Sequence, residues 1–249
     1  MEGADFLHVK TPKLLLVGIL LGATCLAATA EEAPSPANAL GRLKAGNDRF
    51  VQNVSVPVSL SPMTRSALVK GQTPFAMVLS CADSRVPPEY IFNVGLGDLF
   101  VIRAAGEVVD RSIMASLEYG AEHLHIPLLV VLGHESCGAV QAVVDGTSVD
   151  GPNLDYMVQA IKAGTGRTPK ERLDLRTAIL GNVEQSINDA LAGSAILRQA
   201  VQTGAFQVVG GYYELGSGRV LFSSPIATLP TVTPRPAVVA PRTPAPARK

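Results

Sequence analysis

Apolar positions along this chain fall into two rhythms, short solid runs and stripes spaced three or four residues apart. The solid runs at 75–80, 99–103 and 128–132 are short and bounded by turn residues, so they predict strands. From Asn38 onward, Leu40, Leu43, Phe50 and Val51 form a helical stripe that Gly46 interrupts, giving two short helices or one imperfect one. Ser61-Pro62 starts a second short helix ended by Gly71, and Pro87-Pro88 stops regular structure after the first strand's loop. Asp110 can cap a helix over 111–122, with Ile113, Leu117 and Ala121 on one face. Further helices are expected over 137–144, 153–162 and 170–191, and from Ser194 to near Gly204. The 170–191 helix has an apolar face of Leu173, Ile179 or Leu180, Val183 and Ile187. Runs 205–213 and 219–222, separated by a Gly-rich turn, predict a hairpin at a sheet edge. Two successive strand, loop and helix units imply an α/β fold with a mostly parallel central β-sheet flanked by helices. Ligands of such a sheet belong beyond the carboxyl ends of its strands.

The ends differ from this pattern. His8, Lys10 and Lys13 precede an apolar run at 14–28, and Ala28-Thr29-Ala30 offers a small-x-small cleavage site. Residues 1–30 therefore read as a signal peptide, which places the mature chain in the periplasm or outside the cell. A retained leader is the alternative, and only then is a membrane a partner. Lipidation at Cys25 lacks the usual preceding pattern, which Gly22-Ala23-Thr24 does not match. Residues 31–37 form a linker, 38–224 the folded domain, and 225–249 a disordered Pro-rich tail in which seven of 25 residues are proline. Charge is balanced at 21 basic and 21 acidic residues with no basic block in the middle, which argues against nucleic acid as a partner.

The chemistry gathers at two strand ends. Cys81 follows the run at 75–80, and His134 and Cys137 follow the run at 128–132. Two thiolates and an imidazole suit one soft, tetrahedral metal ion such as zinc, with the fourth position open. Water at that position loses a proton far more readily than bulk water does. Asp83 and Arg85 stand two and four residues past Cys81, where a bidentate pair would orient the carboxylate toward that water. Other readings stay open on residue type alone: a Cys81–Cys137 disulfide, a closed structural zinc with Asp83 as fourth ligand, or a plain loop salt bridge. His123 and His125 read as exposed or loop-packing residues, and Gly95-x-Gly97 lacks the third glycine of a dinucleotide fingerprint.

Cys81-Ala82-Asp83-Ser84-Arg85 together with His134-Glu135-Ser136-Cys137-Gly138 resembles the beta class of carbonic anhydrases. The likeness takes in GNDRF at 46–50, GQTPFAMVLSCADSRVPPE at 71–89, GDLFVIRAAG at 97–106, SLEYG at 116–120 and the Gly-Tyr-Tyr-Glu-Leu segment from Gly211. The resemblance implies reversible hydration of carbon dioxide to bicarbonate and a proton. It implies one Zn2+ per subunit on Cys81, His134 and Cys137, with Asp83 and Arg85 as the catalytic dyad. It also implies a mostly parallel sheet with one antiparallel edge strand, an N-terminal helical arm, and a homodimer or tetramer with active sites at the dimer interface. By likeness to the plant-like branch, Gln72, Phe100, Tyr119 and Gly138 would serve the substrate cleft. The family's Arg-Asn-Ala-Gly-Asn is replaced here by Arg103-Ala104-Ala105-Gly106-Glu107. Two alternatives keep the metal site: a hydrolase of carbon disulfide or carbonyl sulfide, and a non-catalytic, zinc-stabilised envelope-binding module.

Overall fold

The structure, a computed structural model, describes residues 34–54, 60–165 and 174–225. The leader, residues 31–33 of the linker and the tail beyond residue 225 lie outside the described residues. The strands are β1 (Ala76–Ser80), β2 (Leu99–Arg103), β3 (Leu128–His134), β4 (Gln207–Tyr213) and β5 (Val220–Phe222). They form one sheet in the order β2-β1-β3-β4-β5. The first four run parallel, and β5 is the antiparallel edge strand, paired with β4 through Tyr213↔Val220. β1 and β3 are buried over their whole length, which is why they read as unbroken apolar runs.

Helices cover both faces. On one side α4 (Arg111–Glu122), α7 (Leu175–Gly193) and α8 (Ala195–Gln202) bury Leu117, Val183, Ile187, Leu191 and Leu197 against Met77, Leu79, Leu129 and Val131. On the other, α1 (Pro36–Val51) and α3 (Pro88–Ile91) pack Leu40, Leu43 and Ile91 onto Val78, Leu128, Val130 and Leu132. Near the strand ends, α5 (Gly138–Val144) and α6 (Pro152–Gly164) close a third apolar cluster that includes Cys81 and Cys137. The remaining helix, α2 (Pro62–Leu68), is capped by Ser61 and buries none of its residues. No helix among the described residues is long and apolar enough to cross a membrane.

Four details differ from the sequence expectation. Gly46 does not interrupt α1, which runs unbroken for 16 residues. It marks where α1 crosses the Phe92 carbonyl, since a Cβ there would lie 1.8 Å from that oxygen. Pro87-Pro88 does not end regular structure either, because Pro88 opens α3, where its missing N–H costs nothing. β3 continues through Gly133 to His134, so that histidine is the last strand residue, in register with Tyr213. α7 opens at Leu175 on an Asp174 cap and not at Lys170; Leu173 lies outside the described residues, and of the two alternatives Ile179 is turned inward while Leu180 is half-exposed.

Candidate metal centre

β1 and β3 are neighbours that run the same way, with Ser80 beside Leu132, so the loops leaving them emerge at one edge of the sheet. There the chain places Cys81, just past β1, beside His134, the last residue of β3. Ser136, at φ 55, turns the backbone sharply, and Cys137 takes the position just before α5 with its side chain free of any capping bond. The ligand atoms of Cys81, His134 and Cys137 lie within 4.8 Å of one another, and all three residues are buried. His134 Nδ1 bonds the Glu135 carbonyl at 2.8 Å, which makes it the protonated nitrogen and leaves the Nε2 lone pair exposed to the cluster. Nε2 makes no hydrogen bond, an orphaned buried atom that a metal ion would satisfy. Glu135 is itself tied down: its N–H donates to Tyr213 O at 2.8 Å and its carboxylate accepts from Leu215 N at 2.9 Å.

The two sulfurs are electrostatically unequal. The hydrogen bond with Cys137 is the main cause holding the Cys81 thiol down at about 4, helped by His134 and by the Gly106 N–H at 3.4 Å from its sulfur. Cys137 is pushed up, first by that same hydrogen bond and then by burial, because a second thiolate would stand beside the first. Burial pulls the His134 imidazole down, but the adjacent Cys81 sulfur outweighs it and the net shift is upward. Two buried thiolates side by side need a cation between them. The donor set therefore fits a soft dication, and these three residues would hold it.

Beside the cluster, Arg85 donates Nε to Asp83 Oδ1 at 2.9 Å and Nη2 to Oδ2 at 2.7 Å. The guanidinium holds the Asp83 carboxyl well below the usual carboxylate range. Asp83 Oδ2 lies 3.9 Å from His134 Nε2, so the carboxylate faces the ligand cluster. Arg85 also reaches Ser136 O at 3.2 Å, linking the two ligand loops.

Three supporting residues had no role in the sequence reading, although Arg103 and Glu107 bound the segment that departs from the family pattern. Arg103, at the end of β2, donates Nε to Cys81 O at 3.1 Å and Nη2 to Asp83 O at 2.6 Å. Glu107 is fully buried behind the ligand loops, and burial together with the Cys81 charge pushes its carboxyl up to about 8. Asn182 on α7 donates to its Oε1 at 2.9 Å. The only local signals were a charge closing the apolar strand β2 and a lone acid between Gly106 and Val108.

The cleft residues are more scattered. Gly138 is the first residue of α5, where a backbone N–H has no intrahelical acceptor. Phe100 pairs in register with Met77, about 10 Å back along the sheet from Arg103. Its ring lies 6.1 Å from that of Tyr119, which is 46% exposed, and the Tyr119 ring lies in turn 5.4 Å from that of His123, tilted by 44°. Gln72 is exposed before β1, and His125 is exposed in a turn. No contact brings Gln72, Phe100 or Tyr119 to the ligand cluster of their own chain among the described residues.

A mostly parallel sheet covered on both faces, with buried Cys–His–Cys donors and a clamped carboxylate at its strand ends, defines an α/β protein with a site that could hold a metal ion. The model of the carbonic anhydrase family matches residues 76–220, and the chain belongs to that family, in its beta class, a family of lyases. It is 35% identical over 204 residues to carbonic anhydrase 2 of Mycobacterium tuberculosis, covering 78% of this chain and 96% of the relative. It is 38% identical over 194 residues to the carbonic anhydrase of Mycolicibacterium smegmatis, covering 75% and 92%. Among solved structures, the beta-carbonic anhydrase CafA of Aspergillus fumigatus superposes with a TM-score of 0.58 at 27% identity, over 78% of this chain and 92% of that one. A tetrameric beta-carbonic anhydrase of Sordaria macrospora gives 0.59 at 24% identity, over 75% and 95%, a likeness of fold.

Proposed function

We propose that the chain catalyses the reversible hydration of carbon dioxide to bicarbonate and a proton, with one zinc ion held by Cys81, His134 and Cys137. The observation that carries this reading is the convergence of those three buried donors, with the unpartnered His134 Nε2 among them and the Asp83 carboxylate 3.9 Å away. When bound, zinc supplies the Lewis acidity that brings the proton loss of a water toward neutral pH. Asp83 stays ionised, accepts a hydrogen bond from the nucleophile and sets the direction of its lone pair. Arg85 engages both Asp83 oxygens, which keeps that carboxylate from swinging in to become a fourth ligand. This favours an open, catalytic site over the closed structural one. Gly138 can offer its N–H to the oxygens of nascent bicarbonate.

Phe100, Tyr119 and Gln72 lie away from their own chain's ligands, so a cleft that combines them with the cluster requires a second copy. We therefore read the active species as a homodimer or a higher assembly of dimers, exported to the periplasm or beyond by the leader. The deciding experiment combines metal analysis of protein purified under reductant with stopped-flow carbon dioxide hydration at pH 7 and 8.5. About one zinc per chain and turnover that rises toward alkaline pH are expected, since thiolate ligands make the water less acidic than histidines do. Protein without stoichiometric metal, or with Cys81 bonded to Cys137 in its active form, overturns the reading.

A further inference from the structure

Glu107 is a costly residue where it stands. It is wholly buried, its Oε2 has no partner among the described residues, and its backbone takes a left-handed conformation at φ 40, following Gly106 at φ 63. A leucine would fill the same space without an unsatisfied oxygen, and non-glycine residues keep such a backbone only where the surroundings over-determine it. The surroundings here are one face of α7. Asn182 Nδ2 donates to Gly106 O at 2.8 Å and to Glu107 Oε1 at 2.9 Å. Ser186, one helical turn later, donates its hydroxyl to Glu107 O at 2.9 Å. Two successive carbonyls and the side chain between them are thus gripped by a single helix. Gly133, immediately before His134, makes the room: a Cβ there would lie 2.6 Å from Val183 Cγ2 and 3.5 Å from Glu107 Oε1. The turn presents the Gly106 N–H to the metal centre, 3.4 Å from Cys81 Sγ.

We propose that Glu107, latched by Asn182 and Ser186, is a positioning residue that holds the Gly106 N–H on the Cys81 sulfur and so tunes that ligand. The inference rests on the reading that Cys81, His134 and Cys137 bind a metal. An N–H aimed at a thiolate withdraws charge from it, fixes its direction and leaves the ion a stronger acid. The sequence departure at Glu107 thereby becomes a device of the ligand shell instead of a lost amide.

The test compares wild type with Glu107→Gln, Glu107→Ala, Asn182→Ala and the Glu107→Ala/Asn182→Ala double variant. Zinc affinity is read by chelator competition, and the cobalt-loaded forms by thiolate-to-metal charge-transfer absorption. Asn182→Ala and Glu107→Ala are expected to lose about 10- to 100-fold in metal affinity and to shift the band. The double variant should be no worse than the weaker single one. Glu107→Gln keeps an oxygen for Asn182 and should stay close to wild type in both readouts. An unmoved band with wild-type affinity in Asn182→Ala overturns the latch. So does a Glu107→Gln protein that fails to fold or releases metal as readily as Glu107→Ala, because charge and not the hydrogen bond is then at work. If Asn182→Ala does not fold, the contrast between glutamine and alanine at position 107 decides. Wild type that binds no metal is a different failure, that of the site itself.

Discussion

Arg85 holds Asp83 by both carboxylate oxygens, at 2.9 and 2.7 Å, and the same carboxylate reaches to 3.9 Å from His134 Nε2. Arg85→Ala is therefore expected to keep its metal while losing about 100-fold or more in kcat. A carboxyl depressed below its ordinary 3.8 adds stability that is present above that value and lost only as pH falls through the lower folded one. In Arg85→Ala that contribution is largely absent, so acid unfolding should set in at a higher pH than in wild type. Metal analysis, stopped-flow rates and an acid unfolding titration check the three parts, and wild-type turnover would contradict the role given to Arg85.

The inequality of the two sulfurs has a chemical readout. In reduced, metal-free protein the Cys81 thiol is held down at about 4 and Cys137 is pushed up, so at pH 6 Cys81 is the thiolate. Iodoacetamide at that pH should label Cys81 before Cys137, as peptide mass mapping would show. Loading with zinc should protect both. Labelling that favours Cys137 would reverse the assignment.

Glu107 ties stability to pH. Burial raises its carboxyl from the ordinary 4.5 to about 8, so between those values the folded state binds a proton that the unfolded state has released. Stability attributable to this group is present below 4.5 and lost as pH rises through 8. Glu107→Gln carries no such titration. Its stability relative to wild type should climb across that window by on the order of a few kcal/mol, measured by urea unfolding of the metal-free proteins. A constant difference between pH 5 and 8 would show that Glu107 is ionised throughout.

Gly46→Ala tests the crossing of α1 over Phe92. The added Cβ meets a backbone oxygen at 1.8 Å, which no side-chain rotation relieves. The helix must shift, at a cost of about 1–3 kcal/mol despite the better helix propensity of alanine. Neighbouring Asn47 would move with it, and its bonds to Ile91 O, Gly218 O and Val220 N stitch α1 to the edge strand. Equal or greater stability in urea would mean that α1 is free to slide.

The parts of this molecule legible in the chain are those written locally. β1 and β3 announce themselves because both faces are covered, so no polar residue breaks the run. Asp83 and Arg85 are two residues apart and could be paired on spacing alone. Cys81 and His134 could be brought together because each closes a parallel strand. The role of Gly46 was hidden because it is set by the carbonyl of Phe92, far along the chain. Asn182 and Gly106, bonded across 76 positions, leave no mark of one another in the sequence. Phe100 and Tyr119 came from likeness to a family, not from periodicity, and within a single chain Phe100 packs on the core while Tyr119 covers it half-exposed.

Arg103 clasps the carbonyls of Cys81 and Asp83, and the Ala82 N–H to Ala104 O and Ala104 N–H to Ser80 O bonds extend the ladder beneath them. None of these grips involves an atom that an ion would touch. The backbone that carries the three donors is thus braced by bonds of its own, so chelator-treated protein is expected to keep its fold and to regain its ion, as circular dichroism before and after zinc is added back would check.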